Sequence, residues 1–184
     1  MAKRGSWFFE GYESETMTGP NGKEKHVLVY RGAWYGLGLE TGKYRLCKLA
    51  FLCLVLVLTA AYLLISFFPS AGGMTRWVGA PCLLALVPLM FMWIGFVNFL
   101  AARDKWEARV HYAGYRRLGR WTYVFLLPMA VTAVAEIVFM IRTGPAAAEI
   151  PYLLGVLVCL ACAVGICLLQ RRFPVTVVQG PDIK

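Results

Sequence analysis

Residues 49–68 read LAFLCLVLVLTAAYLLISFF, about twenty positions without a charge, a proline or a glycine. At roughly 1.5 Å per residue, a helix of that length matches the hydrocarbon thickness of a bilayer. In lipid the backbone has no water to bond, so such a run must satisfy itself as a helix. Three more apolar blocks follow at about 77–102, 121–141 and 150–170, set apart by charged or turn-rich segments. The apolar share of the chain, 59%, exceeds the roughly 45–50% of soluble domains. The expected fold class is an all-α integral membrane protein. Its four-transmembrane-helix bundle occupies residues 46–172, after a small β-rich cytoplasmic N-terminal segment (1–45) and before a cytoplasmic tail (173–184).

A net charge of +9 would suggest a nucleic-acid partner if it lay on one soluble surface. Its distribution points elsewhere. Of the 19 lysines and arginines, all but Arg76 and Arg142 lie before the first block, between the second and third, or after the fourth. Basic residues near span ends are retained in the cytoplasm. Both termini and the 103–120 loop are therefore expected inside, at the plasma membrane, with the cations facing anionic lipid headgroups. No nucleic-acid partner is expected. The first forty-odd residues are polar, so no cleavable signal peptide is expected. All six cysteines fall in or beside spans, which argues against a disulfide framework.

Within residues 1–45, a short basic start leads into Trp7-Phe8-Phe9, an aromatic cluster suited to the membrane surface. Residues 15–18 and 26–31 favour strands around the turn Gly19-Pro20-Asn21-Gly22. A third run, 34–39, is weakened by Gly36 and Gly38. The expectation is a three-stranded meander leaning on the bilayer, the central loop or a partner. The β-like run at 175–178 could add a strand to it. Pro81 and Pro88 should bend span two, and Pro128 lies in span three. The span-two helix is expected to continue to His111 or Tyr112, with Gly114 breaking it. Tyr44-Arg45-Leu46 before span one is echoed by Tyr115-Arg116-Arg117-Leu118 before span three, as in a tandem hairpin repeat. Tyrosine and arginine at an inner boundary are also expected without any repeat.

Glu136 is the sharpest candidate site. An ionisable group inside a span is costly and faces protein or water. It reads either as a proton or cation site, or as a carboxylate paired with Arg76 or Arg142 near the outer boundary. Asn98, the other polar residue well inside a span, lies near the inner boundary and suits an interhelical hydrogen bond better than a substrate contact. Cys159 and Cys162 spell CxxC but lie mid-span, where the thiol is favoured over the reactive thiolate. Gly155, Cys159, Ala163 and Cys167 recur every four residues, a small-residue stripe for close helix packing. Cys47 is placed for acylation, with an ordinary free thiol as the plainer reading. His26 and His111 could meet if the N-terminal segment docks on the central loop. Trp77, Trp106, Trp121, Tyr123 and Tyr152 fit an interfacial aromatic belt, whereas Trp93 lies mid-span beside Met90 and Met92 and suits core packing better than a hydrophobic ligand pocket.

No P-loop, HExxH, nucleophile elbow or dinucleotide fingerprint occurs. No metal site, cofactor or catalytic residue is expected. The sequence then leaves a non-catalytic subunit, scaffold or regulator working through its N-terminal segment, with a protein partner or a second copy of itself. The alternative is an oligomeric transporter or channel using Glu136. An intramembrane thiol enzyme is disfavoured by the position of the CxxC.

Overall fold

The computed structural model describes residues 11–18, 24–68, 70–144, 147 and 149–178. Trp7-Phe8-Phe9, the 19–22 turn and the His26 side chain lie outside the described residues. Four helical runs are long and apolar enough to cross a membrane. The first is α1 (Thr41–Phe67). The second is interrupted, α2 (Arg76–Leu84) then α3 (Leu86–Ala101). The third joins α4 (Ala108–His111), a π turn (Tyr112–Arg116) and α5 (Arg117–Thr143), and the fourth is α6 (Glu149–Arg172). Only 28% to 39% of each apolar window is buried inside the bundle, and Leu64, Leu83 and Leu127 are largely exposed. A water-soluble helix hides most of its apolar surface, so this arrangement suits a hydrocarbon solvent.

Each helix turns one stripe inward. On α1 it runs Tyr44, Cys47, Phe51, Val55, Leu58, Tyr62 and Ile65, the three-to-four spacing of a helical face. Helix α1 packs on α6, α6 on α5, and α5 on α2 and α3. The α1–α6 seam uses the small-residue stripe: Ile65 Cγ2 would lie 2.2 Å from a Cβ at Gly155, and the Cys159 thiol sits 3.7 Å from the Leu58 carbonyl. The Cys159 and Cys162 thiols are both free and buried. Span two is interrupted at Ala85, whose N–H is shared between the Pro81 and Cys82 carbonyls. Pro88 has no N–H to offer the carbonyl four residues back, so the helix restarts there.

The span-two helix stops at Ala101, earlier than its sequence suggests. The charged run Arg103-Asp104-Lys105 leaves the helix, and Trp106 folds back into the core at 1% exposure. Lys48 fastens the end of α3, donating to the carbonyls of Leu100 (3.0 Å) and Ala102 (2.5 Å). Residues 108–116 belong instead to the third run. Gly114 does not break it; it lets the π turn approach α3, with Phe99 N 3.0 Å from a Cβ placed there. Two belt assignments also move inward, since Trp106 and Tyr152 are buried. Cys47 is buried as well, out of reach of an acylating enzyme. Trp93 is held by more than packing: its indole N–H donates to Thr59 Oγ1 at 3.0 Å across to α1.

The β structure is minor and divided. β1 (Tyr12–Thr18) pairs antiparallel with β2 (Glu24–Tyr30). β3 (Trp34–Gly36) pairs with β4 (Thr176–Val178), in register from Trp34 opposite Val178 to Gly36 opposite Thr176. The single meander expected from the sequence is thus two ribbons, because the tail supplies the partner of β3. β3 is also stitched to the central loop, Tyr35 N–H to Trp106 O at 2.8 Å and Trp106 N–H to Tyr35 O at 2.7 Å. The hairpin is tied to the same loop by the Tyr12 phenol, which donates to Glu107. Burial, then the Glu107 carboxylate, pushes that phenol up from 10.0 to about 12. A raised folded value means the contact is intact below pH ~10 and is lost as pH rises through about 12. Tyrosinate absorbance of wild type minus Tyr12→Phe should therefore titrate near 12; a midpoint at the ordinary phenol value refutes the contact.

The sequence echo has a structural counterpart. Tyr44 OH donates to Arg103 O, 59 residues on, and Tyr115 OH to Phe173 O, 58 residues on. Each entering tyrosine thus clasps the chain just past the end of its own returning helix. Laying Tyr44 on Tyr115 places Cys47 on Leu118, Leu58 on Met129, Tyr62 on Ala133 and Ile65 on Glu136. All of these residues are buried.

Candidate functional site

Glu136 lies on the inward stripe of α5, one turn beyond the buried Thr132. It is 0% exposed, and neither carboxylate oxygen has a hydrogen-bond donor. Its Oε2 rests against the backbone of the turn between α1 and α2, where a Cβ on Gly72 would stand 2.4 Å away. A side chain there would push the Glu136 carboxylate and the Phe139 ring aside. The same turn binds a second carboxylate, which the sequence reading passed over. Glu149, in the first turn of α6 and 1% exposed, accepts Ser70 Oγ–H at 2.6 Å, Ala71 N–H at 2.9 Å and Gly72 N–H at 3.3 Å. The two carboxylates converge on Gly72, whose N–H donates to Glu149 Oε1 and whose Cα side is faced by Glu136 Oε2. The signal of Glu149 in the sequence was available: an acidic residue in the first turn of a helix complements the helix dipole. Facing it, the serine-glycine turn offers free N–H groups.

Around this pair, Tyr152 covers Gly73, whose Cβ would meet the ring at 3.1 Å. Beside it a cavity of about 210 Å³ is lined by Ser70, Gly73, Cys82 and Tyr152 among others. Tyr62 donates to the Cys82 carbonyl at 2.9 Å, tying α1 to α2 beneath the turn.

The other sequence candidates fall elsewhere. Arg76 and Arg142 are exposed, and among the described residues neither forms an ion pair with Glu136. The glutamate faces inward to the turn while the arginines face out, Arg142 lining a separate cavity with Trp77 and Phe139. Asn98 is exposed on α3 and donates to Ile94 O of its own helix at 2.8 Å; among the described residues it makes no bond to a second helix. His111 stacks on Tyr35, ring centroids 4.8 Å apart. Among the described residues no group of three or more His, Cys, Asp or Glu side chains could hold a metal ion.

At the opposite end of the bundle, a cavity of about 550 Å³ is lined by Phe91, Tyr112, Arg116, Arg117, Arg120 and Trp121. Trp121 stacks on Phe91 at 4.3 Å, and the Arg116 guanidinium lies over the Tyr112 ring at 4.9 Å. Arginine beside aromatic side chains at a span end is the chemistry of a lipid headgroup contact.

These elements define the class of the molecule, a four-helix bundle of membrane-spanning type with a carboxyl pair at one end and a basic, β-bearing layer at the other. No family model matches the chain, and neither a curated protein nor a solved structure does.

Proposed function

We propose that this chain is a non-catalytic polytopic membrane protein, a small subunit, scaffold or regulator that engages a protein partner through its basic-end β layer. The observation that carries this reading is the attachment of that layer to the bundle. The β3–β4 ribbon and the β1–β2 hairpin are both fastened to the 103–107 loop, which is itself plugged into the core by Trp106. A partner seated on this layer would be coupled to the helices through hydrogen bonds and buried rings. The ribbon β3–β4 is two-stranded, so the far edge of β4 offers backbone groups for strand addition. The basic end faces the cytoplasm in this reading, following the retention of cations on that side. Its arginine-lined cavity contacts anionic lipid headgroups of the inner leaflet.

The test is gentle-detergent purification of the full chain and of a chain lacking residues 1–31. A stoichiometric partner retained by the first and lost by the second is the expected result. A partner-free monomer in both overturns the reading. Reporter fusions should place both termini in the cytoplasm, and opposite sides would overturn the orientation.

A second reading, an oligomeric transporter or channel, is favoured by the buried Glu136. Four spans enclose little alone, so this reading requires an assembly. Glu136→Gln abolishing solute or ion flux in proteoliposomes would select it.

A further inference from the structure

We propose that Glu136 and Glu149 hold one proton between them, forming a proton-binding site at the glycine-turn end of the bundle. The argument is hydrogen-bond accounting. Glu149 accepts three donors, from Ser70 Oγ, Ala71 N and Gly72 N, which is what an ionised carboxylate does. Glu136 is fully buried with both oxygens unpartnered. A buried carboxylate left without a donor is strongly disfavoured. The polar group in place beside it is another carboxylate, which has no proton to give. One added proton resolves both deficits: Glu136 becomes the donor and Glu149 the acceptor, and the pair carries a single charge.

A metal ion fits the same groups poorly. Calcium takes about six to eight oxygens, yet three of the roughly four acceptor sites of Glu149 are taken by the turn, which leaves room for one proton donor and not for a coordination shell. Tyr152 of α6 faces Glu136, and Cys82 of α2 and Tyr62 of α1 stand beside Tyr152. The nearest basic residues in sequence, Arg76 and Arg142, face away. The site stands whether or not the bundle transports anything, since the proton is held at equilibrium.

Infrared spectroscopy of the full chain in lipid nanodiscs at neutral pH, with deuterium exchange, reads the proton directly. Wild type should show one protonated-carboxyl C=O band per chain, and Glu136→Gln should lose it. Glu149→Gln should keep the band at a shifted frequency, because an amide replaces a carboxylate as acceptor. Glu136→Gln should also melt as wild type does, since its amide N–H donates to Glu149 in place of the acid. Absence of the band in wild type, or its survival in Glu136→Gln, overturns the proposal. Should that variant not fold, wild type alone decides. Addition of sodium or calcium chloride at fixed pH should leave the band unchanged, and its removal by either cation would make this a cation site instead.

Discussion

Trp106→Ala is expected to destabilise the protein by about 3–5 kcal/mol and to release the β layer from the helices. The indole is 1% exposed and stands where three parts of the chain meet. Its ring packs edge-on against Phe99 at 5.7 Å and tilts against Tyr115 at 5.7 Å. Its N–H is shared between Arg103 O at 2.5 Å and Tyr44 OH at 3.2 Å. Truncation therefore opens a large void and removes the indole donor from the Tyr44 hydroxyl, while Arg103 O keeps only its bond from Tyr44 OH at 2.8 Å. Trp106→Phe separates the two costs. It retains most of the packing and loses the N–H, a difference of roughly 0.5–1.5 kcal/mol. Thermal unfolding in detergent should order the three proteins wild type, Phe, Ala. Protease cleavage between residues 31 and 40 should rise sharply only in the alanine variant. Equal melting of the Phe and Ala variants would mean that the cavity is filled by other side chains and that Trp106 is no plug.

Which of these features the sequence discloses follows from the range of the forces involved. The four apolar runs are local, since a helix in hydrocarbon is dictated by its own twenty residues. The interruption of span two between Pro81 and Pro88 is local too, because a missing N–H acts on one turn. What the sequence conceals is set by partners far along the chain. β3 carries no mark that its ribbon mate lies in the tail at Thr176–Val178, so adjacency suggested β2. Trp106 resembles any interfacial tryptophan until Tyr44 and Arg103 are brought to it. Gly114 resembles a helix breaker, and becomes a contact only when α3 lies against it. Glu136 stood out because a charge in a span is rare. Its arginine partners were inferred from sequence depth, which places residues along the membrane normal and says nothing about which way a side chain faces. Glu149 carries no such mark in the sequence, because it sits at a span boundary, where an acid is ordinary.

Gly95→Ala is expected to cost about 1–3 kcal/mol, with no substitution elsewhere able to restore it. Alanine is the better helix former by roughly 0.5–1 kcal/mol, so propensity alone predicts a gain. Contact reverses the sign. A Cβ at Gly95 would meet Leu118 N at 2.7 Å and Leu118 Cα and Gly114 O at 3.2 Å each. All are backbone atoms, which cannot rotate away, so α3 must separate from the π turn and the start of α5. Gly155→Ala is a different case. Its new Cβ would meet Ile65 Cγ2 at 2.2 Å, with Ile65 Cβ at 3.7 Å. The obstacle is one methyl group, and Ile65→Ala removes it. In a double-mutant cycle Gly155→Ala and Ile65→Ala should therefore couple favourably, by about 0.5–3 kcal/mol. The corresponding cycle of Gly95→Ala with Leu118→Ala should show coupling near zero, because Leu118 N and Cα remain after its side chain is gone. Unfolding midpoints in one detergent measure both cycles. Rescue of Gly95→Ala by Leu118→Ala would mean that the α3–α5 crossing is set by side chains and is wider than the backbone contact described above.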